Sequence, residues 1–255
     1  MISASELFTG NYDAAVRLLT ERAREGERSF FVTPNVDQLV KLRSDARLVA
    51  AYREADFWFL DSAPLQIYYW MRGRNIPRVT GADLFMPLLS ELLKANLPIV
   101  FILSNQAVSN ALKAFCAGYN RFDVELYVAP ESFDPYSTAA NQIVDSLNQR
   151  ATKANVFIGL GAPKQETLAL RLVTETSAAL IVGCVGAAPE FAMGLKKRAP
   201  VLMRKLGLEW LFRIWTEPRR LLRRYFWEDL AILPLLLGIV RLNIQKEPKR
   251  EKDLV

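Results

Sequence analysis

Histidine is absent from the 255 residues. That excludes Ser-His-Asp triads, His metal ligands and imidazole general bases, so acid–base chemistry falls to carboxylates, Lys, Tyr or Cys. There are only two cysteines, Cys116 and Cys184, too few for a disulfide framework. With no signal-peptide pattern at the N-terminus, a reducing cytoplasmic setting is expected. No D-x-D sequence occurs, the carboxylate pair with which many nucleotide-sugar transferases hold a divalent ion. No metal site or cofactor is therefore expected, and a leaving diphosphate would be met by Arg, Lys or backbone donors. Long apolar runs are missing too. The longest, Leu230–Val240, has eleven residues interrupted by Pro234 and Gly238, against about 20 for a membrane span. There is no periodic Gly or Pro, internal repeat or low-complexity segment.

What is present is a globular chain with 51% apolar, 24% charged and 11% aromatic residues, enough for one large domain or two modest ones. Short apolar runs alternate with helical stretches from Ser29 to about Gly186. The strand candidates are SFFV (29–32), FWFL (57–60), PIVFIL (98–103), DVELYV (123–128), NVFIGL (155–160) and AALIVG (178–183). Each is near-continuously apolar, which suits a sheet buried on both faces. Helical segments are expected near 36–54, 64–72, 83–95, 105–117, 138–150 and 164–176. This alternation predicts an α/β, Rossmann-like fold with a mostly parallel, doubly wound sheet. After Gly194 no further strand is evident. Pro200 and Pro218 punctuate helix starts, with Thr216 placed to cap the second. The expected division is a catalytic domain over 1–194, a helical basic and aromatic C-terminal appendage over 195–245, and a polar tail over 246–255.

The net charge of +6 is unevenly spread: residues 195–225 carry a net +8, so their partner should be anionic. Arg213, Arg219, Arg220, Arg223 and Arg224 lie near Trp210, Trp215, Tyr225, Phe226 and Trp227. Such a segment reads as a solvated basic helix, a nucleic-acid patch or an interfacial membrane element. Interleaved aromatics running into LAILPLLLGIV favour the membrane, because Trp and Tyr sit at headgroup level while Arg meets lipid phosphates.

Open α/β sheets bind ligands beyond the carboxyl ends of their strands. There the sequence places Thr33-Pro34-Asn35, Asp61-Ser62, Ser104-Asn105, Gly161 to Glu166, and Gly183 to Gly186. Asp61 directly follows FWFL. Capping the helix that begins near Pro64 is the commoner role for an Asp so placed, but without His a carboxylate base has few rivals. GLGAPKQE (159–166) is a strand–turn–helix start that would favour a phosphate. It is neither the G-x-G-x-x-G fingerprint nor a P-loop, since Lys164 occupies the third glycine's place. The missing fingerprint disfavours a nucleotide-dependent oxidoreductase. The remaining non-enzyme alternative is an RNA-binding protein using its basic segment.

Seven motifs together resemble one family: TPNVDQLV (33–40), ADFWFLDSAPL (55–65), RVTGADL (78–84), GLGAPKQE (159–166), VGCVGAAPEFAMG (182–194), KRAP (197–200) and GLEWLFRIWTEPRRLLRRY (207–225). Their order and spacing look like the WecG/TagA/CpsF glycosyltransferases, glycosyltransferase family 26, over roughly residues 5–228. The resemblance implies an inverting transferase acting at the inner face of the bacterial cytoplasmic membrane. It would move a hexose or N-acetylhexosamine from a UDP-sugar to a polyprenyl-diphosphate-linked sugar in cell-surface or exopolysaccharide synthesis. Carried over by motif, Asp61 is the candidate general base, with Thr33 and Asn35 beside it. Arg78, Thr80 and Asp83, then Gly161 and Gln165, then Gly186 and Glu190 would line the donor site. Arg213, Arg219, Arg220, Arg223 and Arg224 would meet the lipid diphosphate and an anionic membrane surface. A homo-oligomer is compatible with this reading, and no nucleic acid is implied. Two departures stand out: Asp61-Ser62 where the family often has Asp-Gly, and Pro189-Glu190-Phe191 where it often has Phe-Asp-Phe.

Overall fold

The computed structural model describes residues 3–119, 123–205 and 208–216. Six strands form one sheet: β1 (Ser29–Val32), β2 (Phe57–Trp58), β3 (Ile99–Leu103), β4 (Val124–Val128), β5 (Ala154–Gly159) and β6 (Ala179–Cys184). Their order is β2-β1-β6-β5-β3-β4, and every pairing is parallel. The expected Rossmann-like α/β fold is what the chain adopts. β1, β3, β5 and β6 are buried along their whole length, which is why their sequences are apolar without alternation.

Alternation persists in another form: it sorts side chains between two core layers. Phe30, Val32, Val100, Ile102, Val156 and Ile158 enter one layer. Phe31, Ile99, Phe101, Leu103, Phe157 and Ile181 enter the other. The first layer is closed by α2 (Val36–Lys41), α3 (Ala46–Glu54), α4 (Ala63–Met71), α7 (Thr138–Gln149) and α8 (Lys164–Glu175). The second is closed by α1 (Tyr12–Arg24), α5 (Gly81–Lys94), α6 (Gln106–Ala117) and α9 (Ala188–Ala192). One close approach depends on a missing side chain. A Cβ on Gly183 would stand 2.3 Å from Cζ of Phe31.

Three expectations need correction. The helix expected over 36–54 is two, because Asp45 restarts it: its Oδ1 accepts from the backbone N–H of Arg47 and Leu48, both at 3.0 Å. The strand expected over 57–60 is only β2, two residues at the sheet edge. Its neighbour β1 runs into Pro34, which has no N–H to continue the ladder. Phe59 and Asp61 follow it through single bonds to the carbonyls of Val32 and Pro34. α1, absent from the sequence-based element list, is a full helix capped by Asn11. Beyond Gly194 the described residues contain α10 (Val201–Lys205), which follows Pro200 as expected, and α11 (Glu209–Thr216). Thr216 is the last described residue of α11, and Pro218 and all later positions, with the helix start expected there, lie outside the described residues.

The chain leaves β1 and β5 toward the first layer and β3 and β6 toward the second. Reversals between adjacent strands open a crevice at their carboxyl ends.

Candidate functional site

Asp61 stands where β2's path ends. Its backbone N–H donates to Pro34 O at 3.0 Å, and its Oδ2 accepts from the N–H of Gly81, the first residue of α5, at 3.4 Å. It does not cap α4. That task falls to Ser62, whose Oγ accepts from Leu65 N at 3.5 Å. One bond thus fixes the backbone of Asp61 and the other reaches its carboxylate from the start of α5, and neither makes it a cap of α4.

Thr33 and Asn35 flank it from the loop after β1. Thr33 is buried, and its Oγ1 donates to Cys184 O at 3.3 Å. Asn35 caps α2 in a reciprocal box: its Oδ1 accepts from Gln38 N at 3.1 Å, and its own N–H donates to Gln38 Oε1 at 3.0 Å. With the carbonyl oxygen engaged by the cap, the amide NH₂ is the half of Asn35 left for a ligand.

The start of α5 holds a second cluster. Thr80 caps the helix, accepting from Asp83 N at 3.0 Å and donating to Asp83 Oδ2 at 2.7 Å. Arg198 Nη1 lies 2.8 Å and Arg204 Nη1 3.5 Å from Asp83 Oδ1. Arg78 donates to the carbonyl of Arg204 at 2.8 Å. Burial alone would push the Asp83 carboxyl up. The hydrogen bonds from Arg198 and Thr80 and the two guanidinium charges outweigh it and hold the group below the ordinary aspartate range. Arg78, Thr80 and Asp83 are thus brought together, and the segment carrying KRAP is clasped to them. Arg198 and Arg204 were not among the residues singled out from the sequence, although the KRAP motif pointed to their neighbourhood.

A third cluster lies across the crevice. Gly186 adopts φ +53°, the left-handed region that favours glycine, and its N–H donates to Gln165 Oε1 at 2.9 Å. Gln165 is buried at 3% exposure and donates from Nε2 to Glu166 Oε1 at 2.7 Å. It therefore supports the loop after β6 from beneath. Gly161, in contrast, is exposed, with open space where a Cβ would stand. Glu190 on α9 accepts from Asn105 Nδ2 at 3.2 Å and pairs with Lys196. Asn105 in turn caps α6. Among the appendage arginines, Arg213 falls on α11; Arg219, Arg220, Arg223 and Arg224 lie outside the described residues.

Both cysteines are buried. Burial pushes the Cys116 thiol up to about 11 and pushes Cys184 well up too, a direction that Glu166 reinforces for Cys184. Neither is a ready nucleophile, which returns the chemistry to the carboxylates. Among the described residues, no cluster of three or more His, Cys, Asp or Glu is arranged to hold a metal ion. A cavity of about 420 Å³ lies between α1 and α5, lined by mixed charges such as Asp13, Arg17, Glu21 and Lys94.

The crevice thus gathers one carboxylate at the end of an edge strand, two flanking polar side chains and a clasp of arginines on the first turn of a neighbouring helix. The family model described as glycosyl transferase WecG/TagA/CpsF family matches residues 4–246 of this chain.

Proposed function

The chain belongs to the WecG/TagA/CpsF family of glycosyltransferases, and from that membership we propose that it catalyses sugar transfer onto a lipid-linked acceptor with inversion at the anomeric carbon. The donor is a UDP-hexose or UDP-N-acetylhexosamine of the glucose or N-acetylmannosamine type. The acceptor is a polyprenyl-diphosphate-linked sugar destined for a cell-surface polymer or exopolysaccharide. Membership of a transferase family displaces the oxidoreductase reading.

The observation that carries this proposal is the placement of Asp61. It sits at the carboxyl end of the sheet, oriented by Pro34 O and Gly81 N, while Ser62 performs the capping that would otherwise explain it. In the proposed step Asp61 takes the proton of the acceptor hydroxyl as that oxygen bonds to the anomeric carbon. The bond from that carbon to the UDP oxygen breaks on the opposite side, and UDP departs with the electron pair. Its charge is met by helix N-termini and by the arginines of the 198–204 segment that pair with Asp83 at the start of α5. Arg198 and Arg204 are the described cations nearest Asp83, and a diphosphate competing for them would meet bidentate donors.

Contact with an anionic bilayer at the inner face of the membrane belongs to the same proposal. No described helix is long and apolar enough to cross a membrane. Ile67, Trp70 and Met71 nevertheless expose an i, i+3, i+4 stripe on α4, at 54%, 69% and 68%. From Ser62 through Ala82 the chain carries Arg72, Arg74 and Arg78 and no acidic residue. Apolar surface beside a run of arginines suits a lipid interface. The deciding experiment offers a panel of UDP-sugars with a short-chain lipid-diphosphate-sugar acceptor and measures UDP release. Release with one donor, dependent on the acceptor, supports the proposal; no turnover with any UDP-sugar removes it.

A further inference from the structure

Beneath the floor of the crevice two hydrogen-bonded arms meet at a single carboxyl oxygen. Glu166 has 0% exposure. Its Oε1 accepts from Gln38 Nε2 at 2.6 Å and from Gln165 Nε2 at 2.7 Å. Its Oε2 is buried without a hydrogen-bond partner among the described residues. The first arm runs through Gln38, whose Oε1 accepts from Asn35 N at 3.0 Å and whose own N–H holds Asn35 Oδ1. The second runs through Gln165, whose Oε1 accepts from Gly186 N at 2.9 Å. Gln38, Glu166 and Gln165 are all at or below 3% exposure.

The polarity of this chain is fixed by chemistry. The N–H groups of Asn35 and Gly186 can only donate, so each must meet an amide oxygen. Both glutamine NH₂ groups are thereby turned inward, and the atom between them must be an acceptor. No flip of either amide can be made alone without breaking a buried bond at both of its ends. The two ends of the chain lie on opposite sides of the crevice. Asn35 is in the loop beside Asp61, and Gly186 is in the loop after β6, held in a left-handed conformation.

We propose that Glu166 is a positioning residue that uses one oxygen to set the Asn35 loop and the Gly186 loop relative to each other. The proposal rests on the transferase reading insofar as those loops are taken to hold acceptor and donor. Burial pushes the Glu166 carboxyl up, against the hydrogen bonds from Gln165, from its own backbone and from Gln38 and the charge of Lys41. Whether or not the group carries a proton on Oε2, Oε1 remains the acceptor for both glutamine NH₂ groups. Glutamine has the same shape and the same acceptor.

The test compares E166A, E166Q and Q38A in the full chain, reading UDP affinity by calorimetry, kcat at saturating donor, and the backbone amide resonances of Asn35 and Gly186. E166A frees both arms. It is expected to weaken UDP binding and to lower kcat by about 10²-fold, the scale of a misplaced catalytic group, with both resonances shifted. E166Q is expected to restore most of both functions and both resonances. Q38A cuts only the first arm, so kcat should fall while UDP affinity holds. Folded E166A with wild-type affinity, kcat and resonances would overturn the proposal. So would E166Q as damaging as E166A, or Q38A losing UDP affinity in step with kcat. If E166A does not fold, the contrast between E166Q and Q38A decides. If the wild-type protein binds no UDP, the donor assignment fails, and the Asn35 and Gly186 resonances still decide whether Glu166 positions the two loops.

Discussion

Asp61 and Ser62 are neighbours with separable tasks, and two substitutions should separate them. Asp61→Asn leaves the cap of α4 in place. Turnover is expected to fall by about 10²–10⁴-fold, the range for a positioned general base, with UDP affinity and unfolding midpoint near wild type. Ser62→Ala should do the reverse, lowering stability by about 1 kcal/mol in denaturant titration. A folded Asp61→Asn enzyme at wild-type rate would show that the base lies elsewhere. Asp83 supplies a pH-dependent prediction. Its carboxyl is held below the ordinary aspartate range mainly by Arg198 and Thr80, against burial. The clasp on the 198–205 segment therefore contributes stability that is present above the unfolded aspartate value and lost as pH falls through the lowered folded one. Asp83→Asn should abolish that acid limb, read as proteolytic nicking near Arg204 compared between neutral pH and pH 3. At this scale the sequence was readable where chemistry is local. The absence of His, the strand-end carboxylate and the glycine after β6 all stood out. It was opaque where a partner lies far along the chain, as with Arg198 on Asp83 or Gln38 on Glu166.

Elements were legible in proportion to their burial. β1, β3, β5 and β6 announce themselves as apolar runs because both faces are covered. β2 does not keep its expected length, because pairing partners and not side-chain type decide where an edge strand stops. The break between α2 and α3 is marked in the sequence by Asp45, a capping residue inside an otherwise helical pattern. α4 carries a different signal: its exposed Ile67, Trp70 and Met71 serve neither core layer. Replacing Trp70 and Met71 together with serine should weaken flotation with anionic liposomes while leaving UDP binding intact. Unchanged flotation would move membrane contact away from α4.

For the molecule as a whole, fold class and layer arrangement followed from the strand–helix alternation, whereas the appendage expected over 195–245 rests on composition and charge. Truncation after about Glu217 should leave a folded α/β domain that binds UDP and shows little or no transfer to a lipid-linked acceptor. Full activity in the truncated protein would detach the basic segment from acceptor recognition. Activity is also expected to survive EDTA, since the sequence offers arginines and no D-x-D pair for the departing diphosphate. Loss in chelator, restored by a divalent ion, would show a metal in that role.

The sorting of odd and even strand residues into separate layers has a consequence for how this scaffold can be edited. Inserting one residue in β5 would send Phe157 and Ile158 into each other's layers, and one in β1 ahead of Phe31 would turn that ring away from its tight fit on Gly183. Length changes in the central strands should therefore be all but forbidden. The turn after β4, between Ala129 and Ser137, lies outside that parity and should absorb them. Diversification of such a protein is channelled to the carboxyl ends of its strands, where a changed loop alters what is held without disturbing what holds it.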